Sequence, residues 1–333
     1  MQKSFPIQRL FLFSGILFSN FSIGQLKWEN VDSLFQPLPA SVHVYKTTDL
    51  LDGKPNIAYY LEANLKDKKL DFTVDTTFRR RLTPSKFYDK NDKPLLVINT
   101  TFFSFATNQN LNVVIKNKKL VSYNIHTING RGKDTFTYRH TLGSAIGISR
   151  KREADIAWLC TDSSVKYPFA WPLPVMAIKD SSEHFALKKA KRLLSKIIDP
   201  DKGTVIDFDK WKMQTAVGGG PVLLQYGQIK ITNEQELKFV GKAIDDKHPR
   251  TAMGYTKDNK LIILVIQGRF PNMAEGAALT QEAQIFKDLG CWEALNLDGG
   301  GSSCMLVNGK ETIKVSDATG QRPVPAVFII RAK

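Results

Sequence analysis

From Leu95 onward the chain is written in short apolar runs, each cut off by glycine, asparagine or a charged turn. Leu95-Leu96-Val97-Ile98, Leu261–Ile266 and Ala326–Arg331 are too short to bury the face of a helix. They suit strands covered on both sides. Leu111–Ile115 and Leu120–Tyr123 flank the charged turn Lys116–Lys119, and Asn308-Gly309 is a hairpin turn. Similar runs occur at Ser41–Tyr45, Ile57–Leu65, Ser144–Ile148, Asp155–Cys160, Val222–Tyr226, Ile229–Ile231, Ala294–Leu297 and Cys304–Val307. Helical spacing is rarer. Ser181–Ile198 carries an amphipathic period, Thr280–Leu289 is closed by Gly290, and Asn233–Glu236 has capping-box spacing. The pattern predicts an α+β fold: a mainly antiparallel mixed β-sheet with a few packed helices.

The first residues stand apart. Lys3 and Arg9 precede an uncharged stretch from Leu10 to Phe18, and Ser22 and Gly24 sit before Gln25. This is the layout of a secretory signal over residues 1–24, so the chain is expected to be exported, periplasmic or secreted. The apolar stretch is too short for a comfortable span, so no stable membrane insertion is expected after cleavage. Residues 25–94 read as N-terminal strands and a helix or loop around Asp75–Lys86, packed on a main domain at 95–333. Residues 151–213 look like an insertion in that domain.

The net charge is +15, and losing the signal would leave +13, since Lys3 and Arg9 are its only charged residues. Such a balance favours anionic partners. No nucleic-acid motif accompanies it, so a nucleic-acid partner is not expected. Cys160, Cys291 and Cys304 show no zinc-ligand spacing, and no metal or cofactor is expected. In an exported chain Cys291 and Cys304 could pair; strand geometry decides it.

Chemistry concentrates in Asn296-Leu297-Asp298-Gly299-Gly300-Gly301-Ser302-Ser303. An apolar strand delivers one carboxylate to three glycines and two hydroxyls. That can cradle an oxyanion or a polyhydroxylated ligand, or it can be a tight turn capped by its own aspartate. Four other segments share the design of a strand ending in glycine or a polar cluster. They are Val97–Phe103 with Asn99, Ala216–Val222 with Gly218-Gly219-Gly220-Pro221, His248–Gly254 with Arg250-Thr251, and Leu264–Arg269 with Gly268-Arg269.

In this order the five segments resemble the phosphodiester glycosidase family over roughly residues 95–331. The family runs from an Asn-Gly-Gly-Phe-Phe-like piece through Gly-Gly-Gly-Pro, Arg-Thr-Ala and Asp-Gly-Arg to Asn-Leu-Asp-Gly-Gly-Gly-Ser. Two departures stand out: Thr100 and Thr101 replace small residues, and Gln267 replaces the aspartate before Gly268-Arg269. The resemblance implies hydrolysis of the bond from an anomeric carbon to a phosphodiester oxygen in an anionic glycan. The departing phosphate is already a good leaving group, so cationic donors matter more than a general acid. A carboxylate is still needed near the anomeric centre. On this reading Asp298, Arg250 and Asn99 are catalytic. Thr251, Gly218, Gly219, Gly220, Arg269, Gly299, Gly300, Gly301, Ser302, Ser303 and Arg322 would bind substrate. Gln267, a missing acid, keeps open a non-catalytic glycan-binding protein. An envelope structural protein would leave the ordered motifs without a use.

Overall fold

The computed structural model describes residues 25–195, 197–198, 203–204 and 206–333, so the signal expected at 1–24 lies outside the described residues. The registered strand pairs are antiparallel and form four sheets. The largest has eight strands, and at its centre Ala58–Asn64, Lys260–Ile266, Arg250–Thr256 and Cys291–Asn296 lie side by side. A five-stranded sheet places Leu96–Asn99 between Met305–Val307 and Ala326–Ala332. A seven-stranded sheet is centred on Gly143–Ser149, between Ala154–Cys160 and Met213–Gly218.

The continuous apolar runs follow from burial on both faces. Leu261, Ile263 and Val265 enter the principal core with Met253, Leu295, Leu96 and Ile98. Their neighbours Ile262, Leu264 and Ile266 face the opposite way, onto Ile285 and Phe286 of the helix Leu279–Asp288. Both of those side chains are buried, each contributing about 1.5–3 kcal/mol. Gly254 lets the helix approach: a Cβ there would come within 2.9 Å of the Phe286 ring.

Some expectations change. The period over Ser181–Ile198 yields a helix only at Leu187–Leu194, preceded by a strand at Ile178–Asp180. The region expected as helix or loop opens with a strand, Leu70–Thr76, which pairs with Ala326–Ala332 at the far end of the sequence. The helix follows at Pro84–Lys90, its N-cap Thr83 accepting from the Lys86 amide. Strands from residues 25–94 and 151–213 are therefore woven into the sheets rather than laid upon them. The three cysteines are free and buried, and Cys291 and Cys304 belong to different core clusters.

Register brings the motif segments to one end of the strands. Arg250 lies opposite Ile266, and Ala252 opposite Asn296. Asn99 closes its strand and Gly218 closes another.

Candidate active site

Asp298 sits on a turn held from three sides. Its amide donates to the Thr100 carbonyl at 2.8 Å, and its own carbonyl accepts from Asn99 Nδ2 at 2.5 Å. Next to it, the Leu297 amide donates to the Thr251 carbonyl at 2.8 Å. Asn99 Oδ1 accepts from Thr251 Oγ1 at 3.0 Å and from the Cys304 amide at 3.1 Å. Asn99, Thr251 and Asp298 thus converge. The first two are fully buried, and their polar atoms fix the turn rather than face an open cleft.

The carboxyl itself is treated differently. Asp298 keeps some solvent contact, yet its Oδ2 is buried without a hydrogen-bond partner. Burial pushes it up to about 7, opposed by the nearby Ser302 hydroxyl, the Arg322 guanidinium and the Gly299 amide. Ser302 makes no hydrogen bond of good geometry despite that proximity. Its hydroxyl, those of Ser303 and Thr100, and Asn296 Oδ1 are all buried without partners. Buried polar atoms normally find partners, so five around one turn single it out as the candidate site.

Two guanidinium groups press on the glycines. A Cβ on Gly300, whose φ is +60°, would lie 2.9 Å from Arg269 Nη2. One on Gly301 would lie 2.2 Å from Arg322 Nη2. A side chain at either position would displace its arginine. Arg322 is anchored through Nε to Asp317 at 2.7 Å. Arg269 is exposed and has no carboxylate within ion-pair distance among the described residues. His248 stands nearby with Nδ1 buried and unpartnered; burial, then Arg250 and Arg269, hold it below the usual imidazole range.

Arg250 goes elsewhere. Strand alternation sends it to the face opposite Thr251, where Nε donates to the Ala277 carbonyl at 2.7 Å and Nη2 to that of Asp246 at 2.9 Å. It neighbours Glu282, which is fully buried with both oxygens unpartnered. Expected to meet a phosphate beside Asp298, Arg250 here spends these donors on backbone carbonyls, with Arg269 and Phe239 close by. The amides of Gly218, Gly219 and Gly220 likewise donate to the carbonyls of Val113, Ser144 and Asn296, so they hold strand ends together. Gly300 donates to Pro249, while Ser302 and Ser303 donate to Gly299 and Gly300. Gln267 Oε1 accepts from the Lys314 amide at 2.9 Å and ties down the segment leading to Arg322.

A groove of ≈ 940 Å³ elsewhere, bordered by Trp171, Val175, Met176 and Leu193, contains none of these residues. Its lining is mostly apolar, with Lys230 as its one ionisable cation among the described residues. Among the described residues no group of three or more His, Cys, Asp or Glu side chains could hold a metal ion.

Comparison with known proteins bears on the fold and on the second half of the sequence. Residues 175–331 match the family model described as phosphodiester glycosidase. One solved relative in fold is the zebrafish N-acetylglucosamine-1-phosphodiester alpha-N-acetylglucosaminidase catalytic domain auto-inhibited by pro-peptide. It has a TM-score of 0.55 at 20% identity, over 93% of this chain and 89% of that one. A hypothetical protein from Synechocystis gives a TM-score of 0.57 at 14% identity, over 88% of this chain and 62% of that one. A curated relative, the SPbeta prophage-derived uncharacterized protein YomE of Bacillus subtilis, is 36% identical over 83 residues. That match spans 25% of this chain and only 13% of the relative. The chain therefore shares its fold with that zebrafish catalytic domain, and residues 175–331 match the phosphodiester glycosidase family model.

Proposed function

We propose that this chain is an exported hydrolase that cleaves sugar 1-phosphodiester bonds in surface or host glycans. The observation that carries the reading is Asp298: a carboxyl lifted to about 7 by burial, with Oδ2 unpartnered, beside Arg322 and within a turn packed against Arg269. A perturbed acid in such surroundings is a functional candidate on physical grounds. Anionic phosphate oxygens would lie against the two guanidinium groups, with the anomeric carbon at Asp298. The bond from that carbon to the phosphate oxygen breaks, and its electron pair leaves with the phosphomonoester. The Asp298 carboxylate acts on the opposite side, either taking a proton from the attacking water or adding to the carbon before water replaces it. Ser302, Ser303 and Thr100 supply hydroxyls to sugar or phosphate oxygens.

A second reading rests on Gln267. Its amide ties down Lys314 where the family has an acid, which suits a glycan-binding protein that retains the pocket. One assay separates them: release of reducing sugar from a sugar 1-phosphodiester by the purified chain. The hydrolase reading expects turnover, reduced at least about 10³-fold in Asp298→Asn. Binding without turnover in the parent would favour the second reading.

A further inference from the structure

The five polar segments leave Lys238 unaccounted for. Its stem lies on Gly220, where a Cβ would meet Lys238 Cε at 2.6 Å; with φ at +118°, that position is closed to other residues twice over. Its ammonium lies 5.7 Å from the centre of the Phe102 ring. Phe102 in turn meets Phe239 edge-on at 6.0 Å. No hydrogen bond or ion pair is made by this ammonium among the described residues. The adjacent Glu236 carboxylate accepts instead from Ser144, Trp158, Val222 and Thr232. Burial, opposed by Glu236, holds the lysine below its ordinary value. A half-buried ammonium that feels Glu236 but donates to nothing among the described residues, beside an aromatic face, suits a ligand bearing both an anion and a ring.

Its position says which part of the ligand. Gly220 is bonded in both directions to Asn296, two residues before Asp298. Phe102 follows two residues after Thr100, which accepts from the Asp298 amide. Arg269 and Arg322 lie against Gly300 and Gly301, the glycines that follow Asp298. Arg322 is the cation that acts on Asp298, whereas Lys238 acts on Glu236 and His126. With the phosphate on the arginine side, the sugar ring extends from Asp298 toward Phe102 and Lys238.

We propose that Phe102 and Lys238 form the wall of the sugar subsite and select an acidic pyranose, a uronate, as the unit released. This rests on the hydrolase reading for the placement of the phosphate. Phe102 meets the apolar face of the ring, and the Lys238 ammonium binds the C6 carboxylate. A neutral hexose would leave the ammonium without a charged acceptor for its hydrogen bonds.

The test uses two methyl phosphodiesters that differ only at C6, glucuronate 1-(methyl phosphate) and glucose 1-(methyl phosphate). The parent should favour the uronate about tenfold or more in kcat/KM, the equivalent of one charge-assisted hydrogen bond. Lys238→Met, which keeps the stem, should abolish the preference through KM with kcat retained, and Lys238→Arg should restore it. Calorimetric binding of the corresponding non-hydrolysable phosphonates runs alongside. A parent that turns over neither diester but binds the uronate phosphonate, and loses it in Lys238→Met, keeps the subsite and sinks only the hydrolase. No preference in the parent, a preference that survives Lys238→Met, or binding of neither phosphonate overturns the inference.

Discussion

Glu236 and Asp298 are both acids at the end of the strands where the motifs gather, and their surroundings are opposite. Glu236 is buried and accepts five hydrogen bonds, from Ser144 Oγ and N, Trp158 Nε1, Val222 N and Thr232 Oγ1. Asp298 has a buried oxygen that accepts none, and partnerless hydroxyls around it. The first carboxylate holds three segments of chain in place. The second is held in place by others, through its backbone, while its side chain is left underserved. A carboxylate rich in donors is fixed in its position; one deprived of them and lifted by burial can change protonation and engage a ligand.

The contrast breaks most visibly if Glu236→Ala is harmless. That change removes this acceptor from the Ser144 amide and hydroxyl, the Thr232 hydroxyl and the Trp158 indole N–H, while the Val222 amide keeps Thr232 Oγ1, and it should cost about 3 kcal/mol or more in denaturant unfolding. A smaller loss would mean the bonds are dispensable. On the Asp298 side, Arg322→Ala should reduce kcat/KM by about tenfold to a hundredfold with little effect on stability. Because Arg322 favours the ionised carboxylate, its removal should also move the midpoint of the pH–rate profile upward. An unchanged midpoint would separate Arg322 from Asp298.

The smallest effect sharpens the comparison with a third acid, Glu282, which has neither donors nor access. Burial pushes it up from 4.5 to about 8, so across that window the folded protein holds a proton that the unfolded chain releases. Stability from this group is therefore full below about pH 4.5 and declines as pH rises toward 8. Glu282→Gln should match the parent at pH 4 and exceed its Tm by a few degrees, about 2–4 °C, at pH 9. Equal melting at pH 9 would show that Arg250 already compensates the charge.

Much of this was legible in the residues. Apolar runs closed by glycine or a polar cluster report strand ends, and strand ends are local features. Directions across a strand were less so. Arg250 and Thr251 are adjacent, yet one faces Ala277 and the other Asn99. Which goes where depends on the helix Leu279–Asp288 covering the outer face. The role of Glu236 was hidden for a similar reason. The capping-box spacing at Asn233 located a helix turn, but the donors that surround Glu236 come from Ser144, Trp158 and Val222, far away in sequence. The strand Leu70–Thr76 lacked an obvious partner because that partner lies at Ala326–Ala332. Lys238 sits in none of the motif segments, and only the packing against Gly220 and Phe102 singles it out.

The most direct measurement is kcat/KM on a sugar 1-phosphodiester as a function of pH, for the parent and for Asp298→Asn. The account predicts activity that rises as pH passes through about 7, as Asp298 ionises, and a variant without that rise at a residual rate at least about 10³-fold lower. A parent profile flat from pH 5 to 9, or a variant within tenfold of the parent, would contradict it.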